Sequence, residues 1–199
     1  MTKFLKLTIL ILFIILSVGK LNAEIIEEKV GNVTNFINTE DRIYKMEQLL
    51  DNLSLDEQIK LLDKALANPS SYEPIYYVAL ADSYYKTDKD KAAVTYMIGL
   101  LRSSEDIAMC EDTSARAQIG IYPLFAPNTT AYIQSLDKRS LSNISKQALD
   151  WDLNNPQRVN PIWACYHGMG AFMGEVKIKD IDTYDENKQM IRDAFTKAF

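Results

Sequence analysis

The sequence predicts an all-α protein built of antiparallel helix hairpins in a helical-repeat-like single domain. Three observations predict it. Apolar residues recur at spacings of three and four along most of the 199 residues, which stacks them on helix faces. Glycine and proline are scarce, with 7 and 6 copies, so few residues interrupt that pattern. The one alternating stretch, Val176-Lys177-Ile178-Lys179-Asp180-Ile181, stands alone and reads as an extended linker, because a single strand has nothing to pair with.

The chain opens differently from its remainder. Lys3 and Lys6 precede an apolar run at 7–18, and Leu21-Asn22-Ala23 offers a small residue before Glu24. This order reads as a secretory signal peptide over 1–23. The run falls short of the roughly 20 apolar residues that span a bilayer, and Lys20 blocks its extension. Membrane attachment is therefore expected only through an uncleaved signal. The remaining domain is 24–199. Losing Lys3, Lys6 and Lys20 leaves 19 basic against 27 acidic residues, so net charge moves from −5 to −8. Nucleic acid and anionic membranes reward clustered Lys and Arg, and this balance argues against both. A basic partner suits it better.

Helices then follow in order. Thr39 is a candidate cap for a helix carrying Ile43, Met46, Leu49 and Leu50. Ser54-Leu55-Asp56-Glu57 forms a capping box ahead of Ile59, Leu62 and Leu66. Asn68-Pro69 ends that helix, since proline disfavours helical geometry in the preceding residue. Pro74 opens the next, with Tyr77, Leu80, Ala81 and Tyr84 at helical spacing. A polar turn at 86–90 leads to a helix with Ala92, Ala93, Tyr96, Met97, Leu100 and Leu101, and Asp88 is its candidate cap. Residues 113–125 keep helical spacing until Pro123 and Pro127 fragment them. Tyr132, Ile133 and Leu136 follow, then a helix over 142–153 that Asn154-Asn155-Pro156 breaks. Asn160-Pro161 starts a helix carrying Trp163, Cys165, Tyr166, Met169 and Phe172. Thr183-Tyr184-Asp185-Glu186 reads as a second capping box, before Met190, Ile191, Ala194 and Phe195.

The run 73–104 resembles one repeat of the tetratricopeptide or Sel1-like class. Tyr77, Leu80, Ala81 and Tyr84 match the aromatic, Leu, small residue and Tyr of the first helix, and Ala93, Met97 and Leu100 match the second. Small residues at the crossing let two helices approach closely. Ala81 stands where Gly is often found, and no Pro closes the second helix, although Pro69 closes the preceding unit. The resemblance implies protein or peptide binding without catalysis.

Candidate site residues are few. Cys110 and Cys165 are the only cysteines. After an export signal such a pair reads as a disulfide, with two buried thiols as the alternative. His167 is the only histidine. It lies two residues from Cys165, and that spacing turns the two side chains to different helix faces. One His and two distant Cys make no zinc spacing, so neither metal nor cofactor is expected. Gly168, Gly170 and Gly174 would each weaken a helix interior. They suit either close backbone packing or the approach of a partner. Tyr76 and Tyr85 lie off the core face, where aromatics with polar tips make good anchors. Tyr76, Tyr85, His167 and Gly170 are thus the candidate binding surface. No phosphate loop, nucleophile elbow or H-E-x-x-H motif is present.

The expectation is an exported, non-catalytic protein, secreted or periplasmic, that binds another protein or peptide. A narrower version is a periplasmic immunity protein neutralising an envelope-targeting toxin. An envelope enzyme using His167 and a carboxylate is the reading from another class.

Overall fold

The structure, a computed structural model, describes residues 53–199 in full and the backbone of strands 25–30 and 33–38. The signal peptide expected at 1–23, and the helix expected after Thr39 with Ile43, Met46, Leu49 and Leu50, lie outside the described residues. Strands β1 (Ile25–Val30) and β2 (Val33–Asn38) pair antiparallel, in register from Ile25 opposite Asn38 to Val30 opposite Val33. Ile25, Ile26, Val30, Val33, Thr34 and Ile37 supply the β-branched residues that favour strands. This hairpin is an addition to the expected helical fold. Neither strand alternates apolar and polar residues, so periodicity does not single them out.

From Ser54 onward the chain is helical. Helix α1 (Leu55–Ala67) starts at the expected capping box, where one Glu57 carboxylate oxygen accepts from the Ser54 N–H at 2.8 Å and from its hydroxyl at 2.6 Å. It ends, as expected, at Asn68-Pro69. Helices α2 (Ile75–Ala79) and α3 (Ala81–Tyr85) run on through Leu80. Tyr77, Leu80, Ala81 and Tyr84 are all buried, on the face their spacing predicts. The chain then reverses into α4 (Lys89–Ile107), capped by the Asp88 carboxylate, which accepts from the Lys91 N–H at 2.8 Å.

Helix α4 is the axis of the molecule, and most later elements pack on it. Ala93, expected at the helix crossing, is fully buried, and α2 also lies close against Gly99. A Cβ on Gly99 would lie 2.6 Å from Val78 Cγ2 and 2.8 Å from the Val78 nitrogen. Only glycine lets α2 come this near.

Residues Thr113–Ile121 form a 3-10 helix rather than the expected α-helix. Gly120 and Pro123 disfavour regular α geometry, and tight 3-10 turns are common connectors. Helices α5 (Tyr122–Phe125) and α6 (Pro127–Ser135) follow. Ala126 cannot cap α6. Asp82 of α3 does so from a distance, accepting from the Thr129 N–H at 2.7 Å and the Asn128 N–H at 3.1 Å. Helix α7 (Lys138–Asn154) begins earlier than the expected Ser142, because Asp137 caps it through the Ser140 N–H at 2.8 Å.

The C-terminal third departs most from expectation. The helix expected from Pro161 through Phe172 is two short ones, α8 (Ile162–Cys165) and α9 (Met169–Phe172), parted by Gly168 in extended geometry. The segment expected to be an unpaired linker pairs after all: Ile178 bridges antiparallel to Cys110, with the Lys179 N–H donating to the Met109 carbonyl at 2.8 Å. Its partner is an irregular turn after α4, which has no strand signature. The second capping box does not form. A 3-10 turn, Ile181–Thr183, precedes α10 (Tyr184–Ala198), and Thr183 already has helical geometry. Asp180 caps instead, accepting from the Asp182 N–H at 3.1 Å. On α10 Phe195 is buried and Ile191 packs partly against the core, but Met190 is exposed.

The larger core lies between α1–α4, α7 and α10. A smaller one gathers Ile107, Cys110, Ala115, Val159, Trp163, Ala164 and Cys165.

Candidate functional site

The smaller core is closed by the disulfide Cys110–Cys165, with 5.3 Å between Cα atoms. Both cysteines are buried. Gln118 adds a polar tie, its amide donating to the carbonyls of Ala115 at 2.8 Å and Ala164 at 3.0 Å. These links fix the start of the loop that runs from Tyr166 to Glu175.

Asp112 shapes the loop itself. Its carboxylate accepts from the Gly170 N–H at 2.7 Å and the Ser114 N–H at 2.9 Å, and these bonds hold it below the usual carboxylate range. The Ser114 hydroxyl accepts from the Met169 N–H at 2.7 Å. A Cβ on Gly168 would meet Asp112 Oδ2 at 2.4 Å, and one on Gly170 would meet the Glu175 carbonyl at 2.9 Å. The glycines therefore admit the chain's own carboxylate and backbone. Gly174, at φ 76°, turns the chain back toward the Ile178 bridge.

With its backbone facing inward, the loop turns its side chains out. Tyr166 is 40% exposed, Met169 66%, Phe172 85% and Met173 78%. Single exposed apolar residues are ordinary, but four within eight positions on a braced loop are not. Both signs of charge lie beside the loop: Glu175 is exposed with its N–H donating to the Gly170 carbonyl at 2.9 Å, and exposed Glu111 and Lys177 are joined by a backbone hydrogen bond at 3.2 Å.

The four residues expected to form one binding surface fall into two neighbourhoods. Tyr76 packs edge-on to Tyr72 at 5.5 Å, and Tyr85 edge-on to Tyr132 at 6.3 Å, both against the larger core. His167 stacks edge-on to buried Trp163 at 6.2 Å, and Gly170 sits in the loop. Sequence spacing places Met169 and Phe172 on one helix with Trp163 and Cys165 and gives them no surface role. The three nearby glycines were the signal that this stretch leaves helical geometry.

A second cluster escaped the sequence because its members are far apart in it. Asp152, buried at the end of α7, accepts from Arg102 Nε at 2.8 Å, Arg158 Nη2 at 2.5 Å and Arg192 Nη2 at 2.6 Å. Arg158 Nη2 also reaches Glu105 at 2.9 Å. Arg192 Nε lies 3.0 Å from Glu105 Oε1, but its N–H is directed to Asp152, which leaves that Glu105 oxygen paired in charge and without a hydrogen bond. Asp106 accepts from Trp163 Nε1 at 2.6 Å and from the Tyr184 hydroxyl. Burial pushes Asp106 up to about 6. Burial, and then Asp152, push Glu105 up as well, against Arg158 and Arg192. This network ties α4, α7, the 155–160 segment, α8 and α10 together, with its carboxylates turned inward.

Among the described residues, no group of three or more His, Cys, Asp or Glu is disposed to hold a metal ion. No described helix is long and apolar enough to cross a membrane. Comparison with known proteins finds no matching family model, no similar curated protein and no similar solved structure.

Proposed function

We propose that this is an exported, non-catalytic protein that binds another protein or peptide through the 166–173 loop. The observation that carries the reading is the outward cluster of Met169, Phe172 and Met173 on a loop braced by a disulfide, a carboxylate and a β-bridge. A braced loop loses little entropy on docking, and a central aromatic flanked by methionines suits an apolar pocket. The acidic chain and the mixed charges beside the loop favour a protein over an anionic membrane. The disulfide supports an oxidising compartment. Both cysteines are spent in that bridge, and Glu105 and Asp152 are engaged by arginines, which supports the non-catalytic reading.

A photoreactive phenylalanine analogue placed at position 172 of the full chain, in its own cells, tests this. The expected result is one discrete protein adduct that is absent when the analogue replaces Leu124 or Leu153, which are also exposed. Irradiation that yields only free chain or lipid adducts overturns the reading. Should the adduct be a co-encoded toxin, the protein is an immunity protein; any other partner excludes that version.

A further inference from the structure

We propose that Met169 and Met173 are a paired oxidation site that switches the docking loop off. The inference rests on the docking reading above and adds its control. The two thioethers flank Phe172, and both residues are more than half exposed, whereas Met97 and Met109 are buried at 1% and 0%. The cysteine sulfurs are already oxidised and buried, so among the described residues the accessible sulfur belongs to methionine. An exposed thioether is open to oxidants of the peroxide class, which convert methionine to its sulfoxide.

The chemistry is a two-electron oxygen transfer. The sulfur lone pair attacks one peroxide oxygen, the S–O bond forms and the O–O bond breaks. The departing oxygen takes the proton of the transferred hydroxyl and leaves as water or an alcohol. Sulfur is oxidised and the peroxide is reduced. The product sulfoxide is a strong hydrogen-bond acceptor on what was an apolar surface, and an apolar pocket offers it no donor. Asp112, the disulfide and the Ile178 bridge do not involve these side chains, so the loop keeps its shape while losing its apolar character.

The test treats the folded full chain, carrying Met190→Leu to remove the other exposed methionine of the described residues, with hydrogen peroxide. Peptide mass mapping is expected to find Met169 and Met173 oxidised while Met97 and Met109 remain intact. Retention on a phenyl column is expected to fall, with the thermal midpoint unchanged. Adding Met169→Leu and Met173→Leu should abolish that retention shift. The proposal is overturned if the buried methionines oxidise as fast, or if the shift persists in the Leu variant. If the pair oxidises first but capture from position 172 is undiminished, the switch fails and the docking reading stands. If no partner is captured from position 172 in the reduced protein, the docking reading itself fails.

Discussion

Asp152 accepts from three arginines of three different segments, and its carboxylate is completely buried. Removing it takes away the carboxylate that Arg102 pairs with and leaves Arg158 and Arg192 to share Glu105 in the interior. Asp152→Ala is therefore expected to destabilise the fold by about 3–5 kcal/mol, read from urea denaturation. Lys188 and Asp185, whose 2.6 Å pair has Asp185 in solvent, should contribute under ~1 kcal/mol. If both deletions cost the same, the buried network does not hold the fold. Neighbouring Asp106 gives a pH dependence of known sign. Its pKa is raised from 3.8 to about 6 on folding, so the folded state takes up a proton that the unfolded state releases. The associated stability is complete below about 3.8 and is lost as pH rises through about 6. It amounts to at most about 3 kcal/mol. Glu57, Asp112, Asp137 and Asp185 are lowered by hydrogen bonds, and their contribution disappears as pH falls below the ordinary carboxylate range. Stability measured by denaturant titration should be highest at about pH 4 to 5 and fall toward pH 6. Asp106→Asn should flatten the limb between about pH 4 and 6; an unchanged limb contradicts the assignment.

Elements whose signals are local were legible in the sequence. Ser54 and Glu57 lie three residues apart, Asp88 lies beside its helix, and Asn68-Pro69 is a contiguous stop, so periodicity and caps place α1 and α4 correctly. Elements fixed by distant partners were not. The cap of α6 comes from Asp82, the break at Gly168 is required by Asp112, and the 176–179 segment finds its partner beside Cys110. Gly99 belongs to the same group, since its need for glycine is visible only once Val78 is laid against it. Gly99→Ala should cost about 1–3 kcal/mol through overpacking, measured by thermal and chemical denaturation, because the Val78 backbone cannot move aside as a side chain tip could. The disulfide was legible from the cysteine count and the export signal expected at 1–23, although its role in bracing a loop was not. It closes a separation of 55 residues, and replacing both cysteines with Ala should cost up to about 4 kcal/mol in the chain-entropy model. Loop exchange should rise with that loss. Hydrogen exchange at Gly168 and Gly170 that stays as slow as in the native chain would mean that Asp112, Ser114 and the Ile178 bridge hold the loop without the disulfide.

At the scale of the molecule, one cluster of charged groups is turned inward and, apart from the two buried cores, one cluster of apolar side chains is turned outward. The first arrangement secures α10 and the 155–160 segment to the central helix. The second leaves Met169, Phe172 and Met173 in solvent on a braced loop. The scaffold and the proposed docking loop are therefore separable by substitution. The direct measurement compares the native chain with the double variant Phe172→Ser, Met173→Ser, recording the thermal midpoint of each and its affinity for the protein captured from position 172. The account predicts an unchanged midpoint and affinity weakened at least ~30-fold, as expected for a hot-spot residue. Full affinity in the variant, or a fold that melts with the substitutions, would contradict it.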